Sequence, residues 1–69
     1  MKLDKLITMA NQIGDFFEAM PDREKAVAEI ANHLRRTWEP RMRREILACL
    51  GTADEAGLKP LVREALRRL

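Results

Sequence analysis

Cys49 and His33 are the residues of this 69-residue sequence best suited to nucleophilic catalysis or to metal binding through a thiolate. A catalytic cysteine needs a base within hydrogen-bond reach, but the two residues fall on different predicted helices and no spacing brings them together. One cysteine and one histidine cannot complete a four-ligand zinc site, and one cysteine cannot hold an iron–sulfur cluster. The chain has no serine, no tyrosine and no phosphate-binding or dinucleotide-binding motif. We therefore predict no catalytic, cofactor-binding or metal-binding residue, and we interpret Cys49 as a small buried hydrophobe.

Recognition chemistry is concentrated in the segment HLRRTWEPRMRRE, residues 33–45, which contains five arginines and the only tryptophan. Arginine suits carboxylates, phosphates and backbone carbonyls, and Trp and Arg are enriched at interface hot spots. Three arginines follow Pro40, which favours a helix start, so they occupy a first turn where the helix dipole disfavours cations. An acidic or carbonyl-rich partner would compensate that placement, with Trp38 as the apolar anchor. The alternative is a solvated basic face, in which Arg43 packs its stem and keeps its charge in water. The partner-binding residues predicted in this segment are Arg35, Trp38, Pro40, Arg41, Met42, Arg43 and Arg44.

The first predicted helix offers a second candidate surface. Its apolar residues cover roughly half of the helix circumference, which is wider than a simple amphipathic stripe. Met9, Phe16 and Met20 lie on one edge of this arc, and such residues are frequent at binding surfaces; the alternative is that they belong to the core. Asn11 and Gln12 either bond to the backbone of a partner, or are solvated or cap a neighbouring turn. The partner-binding residues predicted on this helix are Asn11, Gln12 and Phe16.

Helical periodicity runs through the chain and strand signals are weak, since there are two valines, two phenylalanines and no tyrosine. We predict an all-α fold in which residues 1–69 form a small single domain of four short helices, near 3–19, 23–38, 41–50 and 60–68. Asp22 is suited to cap the second helix, Gly51 to end the third, and Thr52 and Glu55 to form a capping box.

The spacing of small and apolar residues predicts how these helices pack. Ala10 and Gly14 lie one turn apart on the first helix, so another helix can approach closely there. The predicted core consists of Leu6, Ile13, Phe17, Val27, Ile30, Leu34, Ile46, Leu61 and Leu66.

Composition limits the remaining function classes. The 13 basic and 11 acidic residues give a net charge of +2, and the excess positive charge is local to residues 33–44. No stretch approaches the roughly 18 apolar residues of a membrane-spanning helix, and the N-terminus does not resemble a targeting peptide. We expect a cytoplasmic protein that binds neither membrane nor nucleic acid; a small basic helical nucleic-acid-binding domain is the alternative. A chain this short has a marginal core, so we expect possible self-association when it is isolated.

Three stretches resemble one known family: MANQIGDFF (residues 9–17), HLRRTWEPRMRREIL (33–47) and GLKPLVREAL (57–66). In this order they are similar to the delta subunit of soluble, NAD-dependent, molybdenum-containing formate dehydrogenase. The resemblance spans almost the whole chain, although the family usually has Asp where this chain has Glu39.

The resemblance implies a role that composition alone cannot indicate. It implies a non-catalytic accessory subunit that binds the large catalytic subunit and supports assembly or stability of the active enzyme. The molybdopterin guanine dinucleotide, iron–sulfur clusters and FMN of such a complex lie in other subunits. The resemblance therefore implies no cofactor in this chain.

Overall fold

The computed structural model describes residues 2–69 as four α-helices and one short 3₁₀ helix. The α-helices are α1 (Leu3–Glu18), α2 (Arg23–Thr37), α3 (Pro40–Leu47) and α4 (Pro60–Leu66), and the 3₁₀ helix spans Ala53–Gly57. No strand occurs within residues 2–69. The prediction of an all-α fold of four short helices is therefore confirmed, although α3 ends at Leu47 and not near residue 50.

Local signals in the sequence set the ends of these helices. The Asp22 side chain accepts a hydrogen bond of 3.2 Å from the backbone N–H of Lys25, so it caps α2 as predicted. Pro40 and Pro60 occupy the first turns of α3 and α4, where the missing N–H has no helical partner to lose. Gly51 adopts a φ of +84° after α3, a left-handed conformation that glycine takes without steric cost.

Thr52 and Glu55 both act at the start of the 3₁₀ helix, but each of their hydrogen bonds is shifted by one residue from the predicted capping box. Thr52 Oγ1 accepts a hydrogen bond of 3.2 Å from the N–H of Asp54. The Glu55 carboxylate accepts one of 3.0 Å from the N–H of Gly51, one residue earlier than in a capping box. Two backbone donors are satisfied in this way before the chain enters α4.

The core lies where α1 and α4 pack against α2, and α3 packs against α1. Seven of the nine predicted core residues are buried, namely Leu6, Val27, Ile30, Leu34, Ile46, Leu61 and Leu66. Ile13 and Phe17 are only partly buried, so their placement in the core interior is corrected. They lie on the side of α1 where no further helix covers the junction with α2.

The close approach predicted at Ala10 and Gly14 is made by α4. Ala10 is fully buried, and a Cβ atom added to Gly14 would lie 2.6 Å from Cγ2 of Val62. Real Cβ atoms essentially never come so close to another heavy atom. Glycine at this position therefore permits α1 and α4 to pack at their observed separation.

Candidate protein-binding groove

A groove with a volume of about 450 Å³ lies between α1 and α2. Its walls are mostly apolar, and its lining residues are Met9, Gln12, Ile13, Phe16, Phe17, His33 and Trp38. The structure thus brings Gln12, Phe16 and Trp38, predicted separately as partner-binding residues, to one surface. We call it the α1–α2 groove.

Phe16 forms the rim of the α1–α2 groove. Its side chain is 77% exposed, and no other large hydrophobic residue within residues 2–69 is classed as exposed. The Phe16 ring packs edge to face on Phe17, with ring centroids 5.0 Å apart and planes at 84°, which is a favoured aromatic geometry. Phe17 in turn lies 6.3 Å from the ring of His33 across the groove. The exposed ring is therefore held by packing at its base while its outer face is open to solvent.

Trp38 lies in the wall of the groove and does not project from the surface. It is only 5% exposed and belongs to the core cluster. The apolar face of α2 continues to this C-terminal residue, and burying so large a ring is favourable by several kcal/mol at roughly 25 cal/mol per Å². The prediction that Trp38 inserts into a partner is corrected: it can contribute only the face that lines the groove.

The hydrogen bonds of Arg43 explain why an arginine occurs in the first turn of α3. Its guanidinium donates hydrogen bonds to the backbone carbonyl of Arg35, at 3.0 Å, and to that of Trp38. The last carbonyls of a helix lack partners within the helix, and a cation there also suits the dipole of α2. The compensation predicted from a partner is therefore supplied within the chain, where Arg43 caps α2. The contact of Arg43 with a partner stays a prediction.

Arg35 is also used within the chain. It donates hydrogen bonds of 2.9 Å to Asn32 Oδ1 and 2.6 Å to the backbone carbonyl of Arg68, just beyond the end of α4. Arg35 and Arg43 together tie the C-terminal ends of α2 and α4 to the start of α3. Arg35 is nevertheless exposed, and its contact with a partner stays a prediction.

The other predicted residues of the basic segment differ in exposure. Pro40, Arg41 and Arg44 are exposed, and neither Arg41 nor Arg44 makes a side-chain hydrogen bond or ion pair with residues 2–69. Met42 is half-buried and packs against the core. A second concavity of about 450 Å³ is lined by Arg35, Pro40, Arg43, Arg44, Leu47 and Leu69. Arg41 and Arg44 remain candidates for partner contact.

Asn11 lies on the other edge of α1 and holds the segment that leads into α4. Its side-chain Nδ2 donates a hydrogen bond of 2.9 Å to the carbonyl of Gly57, and its Oδ1 accepts one of 3.0 Å from the N–H of Lys59. Its amide therefore joins two segments of this chain. A bond from Asn11 to the backbone of a partner stays a prediction. Gln12, by contrast, is exposed at the groove.

Cys49 and His33, the residues first considered for catalysis, have different surroundings. Cys49 is buried, and desolvation, followed by the nearby carboxylates of Asp54 and Glu55, raises the pKa of its thiol. His33 lines the α1–α2 groove. Within residues 2–69 no group of three or more His, Cys, Asp or Glu side chains could hold a metal ion. In the same part of the chain no helix is long and apolar enough to span a membrane.

Three groove residues were not assigned to a binding surface from the sequence: Ile13, Phe17 and His33. Ile13 and Phe17 belong to the apolar arc of α1, and its excessive width was the available signal that part of the arc lies outside the core. His33 flanks the apolar stripe of α2. Only the crossing of α1 and α2 could show that these residues face the same opening.

The fold and the groove define a small helical domain with one apolar surface open to solvent. A model of the family "NADH-dependant formate dehydrogenase delta subunit FdsD" matches residues 5–66. Because this match covers most of the 69 residues, the chain belongs to that family. No curated protein and no solved structure matches the chain significantly.

Proposed function

We propose that this chain is a non-catalytic accessory subunit that binds the large catalytic subunit of an NAD-dependent formate dehydrogenase in the cytoplasm. By binding, it supports the assembly or stability of the active enzyme. The observation that carries the proposal is the family membership over residues 5–66. The molybdopterin guanine dinucleotide, iron–sulfur clusters and FMN of the complex would belong to other subunits, and this chain would contribute contacts.

The α1–α2 groove supports a role in binding. Phe16 is 77% exposed, and covering a phenylalanine side chain is worth about 1.5–3 kcal/mol. Aromatic residues that meet a well-packed pocket are typical hot spots of protein interfaces. Because Phe17, His33 and Trp38 already form a packed wall, little side-chain freedom would be lost when a partner docks.

The exposed arginines Arg41 and Arg44 support a polar contact at the start of α3. Arg41 and Arg44 begin α3 directly after Trp38 and Pro40. Arginine can meet carboxylates or helix C-terminal carbonyls with two parallel hydrogen bonds. Contacts of this kind at the rim of an interface contribute orientation and association rate more than affinity.

Co-expression of the tagged full chain with the formate dehydrogenase subunits tests the proposal. We expect the large subunit to co-purify with the tagged chain. We also expect enzyme produced without the chain to show at least tenfold lower formate-dependent NADH production, together with a lower yield of assembled complex. Recovery of fully active, stable enzyme in the absence of the chain, with no co-purification in its presence, would refute the proposal.

A further inference from the structure

The ion pairs of this domain are gathered on one side of the molecule. Every ion pair within residues 2–69 includes a residue between 55 and 68. On α1, carboxylate oxygens of Asp15 and Glu18 lie 2.6 and 3.6 Å from Nζ of Lys59. The hydrogen bond that Lys59 donates to Asp15 is the main cause of the raised pKa of Lys59. The acids in the second half of α1 are therefore directed toward α4 and away from the α1–α2 groove.

Positive charge without a carboxylate partner lies close in sequence to the groove residues His33 and Trp38. Arg36 lies one turn after His33 on α2, and Arg41 lies in the first turn of α3. Both are exposed, and neither side chain makes a hydrogen bond or ion pair with residues 2–69. Arg35 and Arg43 bond only to carbonyls and one amide oxygen, so their charges are not neutralised by carboxylates either. Glu39 is the one acid among the five arginines of residues 33–44.

The dimensions of the groove indicate what shape of partner can fill it. Met9 and Phe16 lie seven residues apart on α1, which corresponds to about 10 Å along a helix. Helices that bind in grooves present anchors at positions i, i+3 or i+4, and i+7, which cover the same length. A peptide that binds by adding a β-strand would need an exposed sheet edge, and residues 2–69 contain no strand. The walls are two helices whose backbone groups are already bonded.

A second copy of this chain is a poorer occupant. Among the groove's apolar lining residues, Phe16 alone is largely exposed, so two copies would face each other with largely concave surfaces. Each copy would also bring the same arginines, which lack carboxylate partners in residues 2–69. A partner with acidic residues complements this surface better than a copy does.

From these observations we infer that the α1–α2 groove binds one amphipathic helix of the large catalytic subunit. That helix presents apolar residues at i, i+3 or i+4, and i+7 to the groove. It carries acidic residues at the end that lies over Arg36 and Arg41. The inference rests on the proposed function, since it names the element of that same partner which this surface receives.

Site-specific crosslinking in the co-expressed complex tests the inference. A photo-reactive phenylalanine derivative is placed at position 12, because Gln12 is exposed and lines the groove, and the crosslinked peptide is identified by mass spectrometry. We expect a segment of the large subunit with the stated apolar spacing and with acids within one turn of one end. A crosslink to a second copy of this chain, or to a segment without that pattern, would overturn the inference.

Charge reversal tests the polar part of the same inference. The double variant Arg36→Glu, Arg41→Glu should lower recovery of the large subunit at least tenfold at low salt, with a smaller effect at high salt. The control Lys25→Glu reverses one positive charge at the opposite end of α2, where Lys25 is exposed, and should stay within twofold. Replacing the acids of the mapped helix by lysine should restore recovery with the double variant. An unchanged recovery with the double variant would overturn the inference.

Phe16→Ala separates failure of this inference from failure of the proposed function. The variant should lower recovery at least tenfold while circular dichroism shows an unchanged fold. If wild-type chain recovers the large subunit and Phe16→Ala recovers it equally well, the groove is not the contact and the proposed function stands. If the wild-type chain does not recover the large subunit, both are wrong.

Discussion

On one edge of α1, Gly14 lies so close to α4 that an added Cβ atom would meet Val62 at 2.6 Å. On the other edge, Phe16 is 77% exposed beside an apolar groove. The first edge is closed by packing, by the two hydrogen bonds of Asn11 and by the ion pairs of Lys59. Within residues 2–69, the second edge has the aromatic packing of Phe16, Phe17 and His33, but Gln12 on this edge makes no side-chain hydrogen bond to another helix. One part of the apolar surface of α1 thus packs against α4 and stabilises the fold, and another part lines the α1–α2 groove.

The largest effect is expected at the closed edge. Gly14→Val should lower the free energy of unfolding by about 3 kcal/mol, because its side chain overlaps Val62 and α4 must move away. Chemical denaturation measures this change. The control Gly57→Ala should change stability by less than about 0.5 kcal/mol, since its Cβ would lie an ordinary 3.6 Å from Ile7. Equal stability of the two variants would show that the contact between α1 and α4 is looser than described.

A smaller loss of stability is expected from Asn11→Ala. The substitution removes both hydrogen bonds to the segment before α4 and leaves the Gly57 carbonyl and the Lys59 N–H without these partners. At about 0.5–1.5 kcal/mol for each bond, the free energy of unfolding should fall by about 1–2 kcal/mol. Gln12→Ala removes the adjacent amide from the open edge and should have almost no effect. A stability loss in Gln12→Ala as large as that in Asn11→Ala would remove the distinction between the two edges.

Phe16→Ala should change the free energy of unfolding by less than about 0.5 kcal/mol, because the side chain is mostly exposed already. It should nevertheless reduce the self-association of the isolated chain at high concentration, since it removes the exposed part of an apolar surface. Sedimentation and thermal unfolding measure the two effects. The neighbouring variant Phe17→Ala should destabilise the fold instead, because Phe17 packs against the core. Marked destabilisation by Phe16→Ala would mean that the open edge also supports the fold.

The smallest effect concerns the ion pair between Glu24 and Arg68, in which Oε1 of Glu24 lies 2.6 Å from Nη1 of Arg68. The hydrogen bond from Arg68 lowers the pKa of Glu24 from its ordinary value of 4.5. A carboxyl group with a lowered pKa stabilises the fold above its unfolded pKa, and this contribution disappears as the pH falls through the folded value. Stability should therefore decrease slightly below about pH 4.5 in the wild type, and less so in Glu24→Gln. Denaturant titrations at a series of acidic pH values compare the two, and identical profiles would show that the pair contributes nothing.

Much of the fold could be predicted from short-range signals. Asp22, Pro40 and Pro60 mark helix starts through their own backbone chemistry, and Gly51 takes the one conformation that favours glycine. Periodicity identified seven of nine core residues because α-helices repeat every 3.6 residues whatever they pack against. Such signals depend only on neighbouring residues in the chain, so they can be recognised without knowledge of the tertiary structure.

The candidate site was predicted less well because its residues depend on distant contacts. Phe16 and Phe17 are adjacent on one apolar arc, and only the position of α2 leaves one exposed and the other half-buried. Asn11 meets Gly57, 46 residues away. Arg43 reaches the end of α2 because the turn at Pro40 folds α3 back toward it. An arginine that caps a neighbouring helix and one that binds a partner can have the same local sequence, so only the tertiary structure distinguishes their roles.

The hydrogen bond from the backbone N–H of Lys59 to Asn11 Oδ1 allows local opening between α1 and the segment before α4 to be measured. Amide hydrogens at the start of a helix normally exchange rapidly with solvent, because they have no acceptor in the preceding turn. The N–H of Lys59 precedes α4 and is bonded to Asn11 Oδ1 across 48 residues of sequence. Its exchange with deuterium therefore requires the hydrogen bond to Asn11 to break, and its rate measures the free energy of that local opening. Slow exchange at this amide would show that the contact between Asn11 on α1 and the start of α4 rarely opens. The α1–α2 groove lies on the other edge of α1.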